Sequence, residues 1–280
     1  MMDLRWKAGI TGVVVAAGAV VAAAGPAQPG PHHHAALGPR AGSATLLGSA
    51  IVAPRPAPSA PPGPVSVDAL RATTAHLTDT GHNVTMKTIG AVTTGSVDPA
   101  QRITAVAISE DGVTEFVEMV VHGTVYVRMD IDPTTNDQMG VDPKTWMRLD
   151  GRKIAADSAL PLLPTAVDPV DMPGILDGVT AVKRVDATNY VGTIDLAKVD
   201  GHNRPDPIEV QIAGKPATRA PFRLTTDDQG RIAQFSVNTN GFDPTLSLDV
   251  SFTNYGTQDT VTPPGSSVPA PASVYALFKP

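Results

Sequence analysis

The residues of this chain whose types could do chemistry are its seven histidines and one run of alternating oxygen donors. His32, His33 and His34 are adjacent, and imidazole is the commonest metal ligand. They fall in a Pro- and Ala-rich stretch without fixed geometry, which reads as incidental polar composition. Asp130, Asp132, Thr134 and Asn136 space their oxygens roughly as a calcium loop does. The sixth position, however, is Thr135 where that loop needs Gly, and the twelfth is Val141 where it needs Glu. A solvated loop is the expectation. Hydrolase patterns are missing: there is no G-x-S-x-G, and His76, His82, His122 and His202 fall at a helix end, a strand start, a turn and a loop, as surface residues. No catalytic residue, metal site or cofactor is therefore expected.

The elements that would have to position any site come next. The chain has 280 residues, 42% hydrophobic and 17% charged, with 27 unevenly spread prolines. A net charge of -6 without a Lys/Arg cluster excludes a nucleic-acid partner. The start has the layout of an export signal: Arg5 and Lys7, an apolar run from Ala8, then Ala22-Ala23-Ala24 as a small-residue cleavage site. Residues 1–24 are thus a signal peptide or a signal anchor, and the protein is exported to the extracytoplasmic envelope, secreted or held by an uncleaved helix. Residues 25–64, for example Ala53-Pro54-Arg55-Pro56-Ala57-Pro58, cannot bury enough surface to offset ordering entropy and read as a disordered linker. Residues 263–280 read as a shorter Pro-rich tail, in which Val274 to Phe278 could dock. The chain has no cysteine, so the folded part needs a self-sufficient core.

That folded part, 65–262, opens with a helix capped by Ser66 and closed by Gly81, with Val67, Leu70, Thr74 and Leu77 on one stripe. After it the period drops to two. Strands are predicted at 83–89, 91–97, 103–109, 113–121, 124–130, 146–149, 179–185, 190–196, 221–226, 231–239 and 245–253, with short helices at 155–163 and 172–176. Connections such as His122-Gly123 are too short for crossovers, so neighbours are antiparallel. The fold class is α+β, with about eleven strands in one antiparallel meander.

Strand 113–121 is apolar on both faces, with Val117, Met119 and Val121 on one and Phe116 and Val120 on the other. Helices or a folded-over sheet would cover both faces, or one apolar face is left for a ligand. The candidate lining is Val117, Met119, Val121, Val125, Val127 and Met129, extended by Phe222, Leu224, Leu246, Leu248, Val250 and Phe252. Trp146 and Tyr126 read as core or rim aromatics.

Several short strings, in order, resemble the LppX/LprG-type lipid-carrier lipoproteins of actinobacteria. They are His122-Gly123-Thr124-Val125-Tyr126-Val127-Arg128, Trp146-Met147-Arg148-Leu149, Asn189-Tyr190-Val191-Gly192-Thr193-Ile194-Asp195, Gly230-Arg231-Ile232 with Phe235, Phe252-Thr253-Asn254-Tyr255-Gly256, and Val261-Thr262-Pro263-Pro264. The resemblance implies a U-shaped antiparallel half-barrel with helices over its concave side. It also implies a non-catalytic role: a monomer carrying an acylated lipid or glycolipid at the cell membrane or envelope. Members carry a lipidated cysteine after the signal, which this chain lacks. The alternative expectation is a protein-interaction module of the same fold whose cavity is filled by side chains.

Overall fold

The computed structural model describes residues 63–110, 114–154, 158, 160, 162, 168–201 and 203–278. The leader, most of the linker, His32 to His34 and His202 lie outside the described residues.

Two meanders build one sheet. The first runs β2 (His82–Thr88), β3 (Ala91–Asp98), β4 (Ile103–Glu110), β5 (Thr114–Val121), β6 (Thr124–Asp130) and β7 (Met147–Arg148). The second runs β8 (Val179–Arg184), β9 (Asn189–Ile194), β10 (Ala220–Thr226), β11 (Ile232–Val237) and β12 (Leu248–Thr253). β12 pairs back onto β2, which joins the meanders, and two-residue strands finish the edges: β1 (Gly63–Pro64) beside β8 and β13 (Val268–Pro269) beside β7. The order is β1-β8-β9-β10-β11-β12-β2-β3-β4-β5-β6-β7-β13, and β1 and β13 do not pair with each other, so the sheet is open. All pairings are antiparallel except β13 with β7. Each edge strand ends in a proline, which cannot donate to a further strand.

The eleven predicted strands all form, with β12 starting at Leu248 because Pro244–Leu246 is a 3-10 turn. The opening helix is broken into α1 (Val67–Arg71), a 3-10 turn and α2 (His76–Asp79). α4 (Met172–Asp177) lies where a helix was expected. Of the helix expected at 155–163, Ser158, Leu160 and Leu162 are described, none of them helical. Three helices were not expected: α3 (Pro133–Met139), α5 (Pro207–Ala213) and α6 (Ala272–Leu277). α3 replaces the solvated loop, with Asp132 capping the Thr135 N–H at 3.0 Å and Gly140 closing in the left-handed region. The carboxylates there serve a cap and a turn. α6 is where the tail docks: Val274 and Phe278 are buried, and the Tyr275 hydroxyl accepts the Asp150 N–H at 2.6 Å.

One face of the sheet, the inner face, carries most of the core. α1, α2, α4 and α5 give Leu70, Leu77, Ile175 and Val210 to the part over β8–β12 and β2. Leu160, Leu162 and α6 cover the part over β4–β7. Between the two clusters Gly95 on β3 is flanked by Val84 and Val106, and an added Cβ would meet the Ala105 carbonyl at 2.9 Å.

Candidate functional site

The register decides which candidate residues share a face. His122-Gly123 is a two-residue connection pairing Val121 with Thr124, so odd positions on β5 stand opposite even positions on β6. Val125, Val127 and Met129 therefore lie beside Val120, Glu118 and Phe116, on the inner face. Val117, Met119 and Val121 lie on the outer face, beside Arg128, Tyr126 and Thr124. The expected single lining of all six is corrected accordingly. Met119 and Val121 are apolar because Ile103, Trp146 and Val261 cover them. The exit segment carrying Val261 is pinned there by Asn83, whose Nδ2 donates to Asp259 Oδ2 at 2.7 Å, and by Ser96, which donates to the Asp259 carbonyl at 2.8 Å.

The remaining nine candidates belong to the inner side. Phe222, Leu224, Leu248, Val250 and Phe252 connect by register through Val237, Phe235, Met86 and Val84, and Leu246 joins the same cluster from its 3-10 turn. They do not line one cavity. Val125, Val127 and Met129 are covered by the chain's own Leu160, Leu162 and Val274. Phe222 stacks on Phe235 at 5.6 Å.

A gap does exist between the inner face and the α4–α5 layer. It has a volume of about 40 Å³ and is lined by Ile175, Ile194, Leu196, Val199, Val237, Leu246 and Leu248, with Thr88, Asn203, Pro205, Glu209, Thr245 and Ser247 around them. Only Leu246 and Leu248 were among the candidates. Ile175 comes from α4, Glu209 from α5, and Leu196, Val199, Asn203 and Pro205 from the segment that joins β9 to α5, where strand periodicity gives no signal; Thr88, Ile194 and Val237 come from β2, β9 and β11. Forty cubic ångströms is little more than one water's share of liquid, roughly 30 Å³, and ligand pockets usually span about 300–1,000 Å³. The cover over the gap is held by polar contacts: Asn203 Nδ2 donates to the Val170 carbonyl at 2.7 Å, and the Asp200 N–H donates to the Gly174 carbonyl at 3.1 Å. A second, wider depression of about 850 Å³ lies on the outer side of β8–β11 and is open to solvent. Val191, Pro221 and Phe242 line it together with Lys183 and Arg223.

Two buried titratable groups were not foreseen. Glu118 is fully buried on the inner face; its Oε2 accepts the Leu162 N–H at 3.0 Å, and its Oε1 has no partner. Burial drives its pKa well up, against the pull of that one hydrogen bond. The signal was its parity with Phe116 and Val120. His82, expected at the surface, is fully buried: Nδ1 donates to the Thr80 carbonyl at 2.9 Å, Nε2 is unpartnered, and the ring lies 5.6 Å from Phe252 and 5.4 Å from Tyr255. Burial lowers its pKa, while the Thr80 bond and nearby Asp168 act to raise it. The Asp168 carboxyl is itself raised by burial, although it accepts the Val170 and Met172 N–H groups at 2.9 and 2.8 Å. Among the described residues no serine or threonine hydroxyl is bonded to His82.

Among the described residues no group of three or more His, Cys, Asp or Glu side chains could hold a metal, and no helix is long and apolar enough to cross a membrane. Fold and site define an α+β protein on one open, mostly antiparallel thirteen-stranded sheet, with a small apolar gap under short helices. No protein-family model matches the chain, and no curated protein does.

Proposed function

We propose that this is an exported, non-catalytic domain that binds the acyl chain of an envelope lipid or glycolipid, with the chain entering the gap between the inner face and the α4–α5 layer. In this reading the sheet is a half-barrel, its inner face is the concave one, and the short helices form its cover. The observation that carries the reading is the lining of the gap: seven aliphatic side chains converge there, with Glu209 the only charged residue among the described ones. Moving a chain from water into such surroundings gains about 0.8 kcal/mol per methylene, so a sixteen-carbon chain offers roughly 12 kcal/mol. That is ample to lift a cover held by a few hydrogen bonds worth about 1 kcal/mol each. In this reading, loading widens the gap.

Two measurements test this. Protein purified from cells that make envelope lipids is extracted with organic solvent and the extract analysed by mass spectrometry; separately, uptake of a fluorescent sixteen-carbon fatty acid is titrated. Val199 lines the gap, and Val199→Trp should fill it and weaken uptake at least tenfold. A protein that is reproducibly empty and takes up no acyl probe sinks the reading. The packed inner face over β4–β6 favours a second one, an interaction module whose own Leu160, Leu162, Val274 and Phe278 stand where a ligand would. That module would show the same negative uptake with an unchanged Val199→Trp variant.

A further inference from the structure

Five large apolar side chains of the described residues are exposed, and two of them share one short helix. Ile208 is 54% exposed and Ile212 77%, and at i and i+4 on α5 they stand on one face. Single exposed isoleucines are ordinary; two adjacent ones on a helix whose other side already buries Val210 form a patch facing away from the core. Fraying does not account for it. Asp206 caps α5 by accepting the Ile208 N–H at 2.6 Å, Pro207 sets the first turn, and Gly214 closes it at φ 63 and ψ -140.

The charges beside the patch indicate its occupant. Arg204 precedes the helix, and Lys215 and Arg219 follow it; all three are exposed, and none is ion-paired among the described residues. Of the two carboxylates in the same stretch, Asp206 is used in the cap and Glu209 lines the gap beneath. An otherwise acidic chain of net charge -6 thus presents apolar side chains bordered by uncommitted cations, and it does so on the cover of the gap. Cations beside an exposed apolar helix face suit an anionic bilayer surface, where the cations meet headgroups and the apolar side chains enter the acyl boundary.

We propose that α5 docks the protein onto an anionic lipid bilayer through Ile208 and Ile212, with Arg204, Lys215 and Arg219 on the headgroups. The inference deepens the lipid-binding reading, on which it rests for the purpose of docking: the cover of the gap would meet the membrane from which a chain is taken or to which it is given.

The absence of cysteine makes the test direct, because one introduced thiol labels one place in the full chain. Ile212→Cys carries an environment-sensitive fluorophore, and Ser251→Cys on the outer side of β12 is the control. With phosphatidylglycerol vesicles the label at 212 should shift to the blue and the control should not. The shift should fall severalfold in 0.5 M salt, with phosphatidylcholine vesicles, and in the Lys215→Glu/Arg219→Glu background. An unshifted label at 212, an equal shift at 251, an equal response to phosphatidylcholine, or a shift that tracks protein concentration without vesicles would each overturn the proposal. The last would mean a second copy covers α5. A retained leader tethers both labelled proteins alike and leaves this contrast intact. Acyl uptake is read separately: a shift at 212 in a protein that takes up no acyl probe keeps the docking and removes the carrier, and uptake without the shift does the reverse.

Discussion

The inner face is covered by different means at its two ends. Over β8–β12 and β2 the cover is short helices and loops tied down by caps and single hydrogen bonds, and a gap remains beneath α5. Over β4–β7 the cover includes Leu160, Leu162 and the tail helix, and Leu160, Leu162, Val274 and Phe278 cluster with Phe116, Val127 and Met129. Such a filled core loses much when one side chain is removed, whereas a capped cover can open locally at modest cost. Under the function proposed above, the difference separates a region built for permanence from one that opens to a ligand. It can be broken in the following ways.

The largest effect is expected in the filled half. Phe278 is buried edge-on to Phe116 at 5.7 Å, and Phe278→Ala should cost about 3 kcal/mol, within the usual range for a buried phenylalanine. Chemical denaturation measures it. A cost under about 0.5 kcal/mol would mean that α6 is a loose tether and the two ends are alike. Next comes the seam between the clusters. Gly95→Val places side-chain atoms against the Ala105 carbonyl and against Val84 and Val106, and overpacking of this kind costs about 1–3 kcal/mol. If the substitution is neutral, the sheet yields at β3 and the two clusters are independent.

The two ends also carry opposite titrations. Glu118 has a folded pKa raised by burial, so the native state holds its proton longer than the unfolded chain does. Its contribution is whole below the unfolded value, about 4.3, and is lost as pH rises from there toward the folded value. His82 has a folded pKa lowered by burial, so its contribution is whole above about 6.5 and is lost as pH falls from there toward the folded value. Glu118→Gln keeps an acceptor for the Leu162 N–H and removes the charge. Its Tm should exceed that of the wild type at pH 8, by about 2–4 °C for each kcal/mol recovered, with the gap closing below about pH 4. His82→Phe should flatten the acid side instead. Asp168, also raised by burial, leaves in that variant a loss of stability that begins as pH rises above about 3.9. Identical Tm profiles for wild type and Glu118→Gln would show that the filled half admits water to its carboxylate.

The strands were legible in the sequence because β-branched runs between Gly and Asp turns have few other solutions, and all eleven predicted strands form. The register of β5 and β6 was also legible: a two-residue His122-Gly123 turn fixes the parity that separates Met119 from Val127. Alternation alone did not reveal it, because the exit segment carrying Val261 makes an outer face apolar, and long-range cover leaves no local mark. Gly201, Pro205 and Pro207 mask α5 in the sequence, although Asp206-Pro207 is the cap and first turn of a helix. The gap lay out of reach in part for the same reason, since Leu196, Val199, Asn203, Pro205 and Glu209 line it from that segment.

The smallest effect concerns the covers themselves, and it sharpens the comparison most. Asp132 caps α3 beside the filled half, and Asp206 caps α5 over the gap. Loss of either cap costs about 1 kcal/mol of helix stability. Where the cover is locked by core packing, as α3 is through Met139 and Val141, Asp132→Ala should lower global stability by that amount and leave hydrogen exchange under the helix tied to global unfolding. Where the cover is held chiefly by its caps and a few hydrogen bonds, Asp206→Ala should change global stability less. It should instead raise exchange at Val210 and Gly214, whose N–H groups bond back along α5, by roughly fivefold. Equal behaviour at both helices would mean that α5 opens only when the whole domain unfolds, and the gap beneath it would then be a packing defect rather than an entrance.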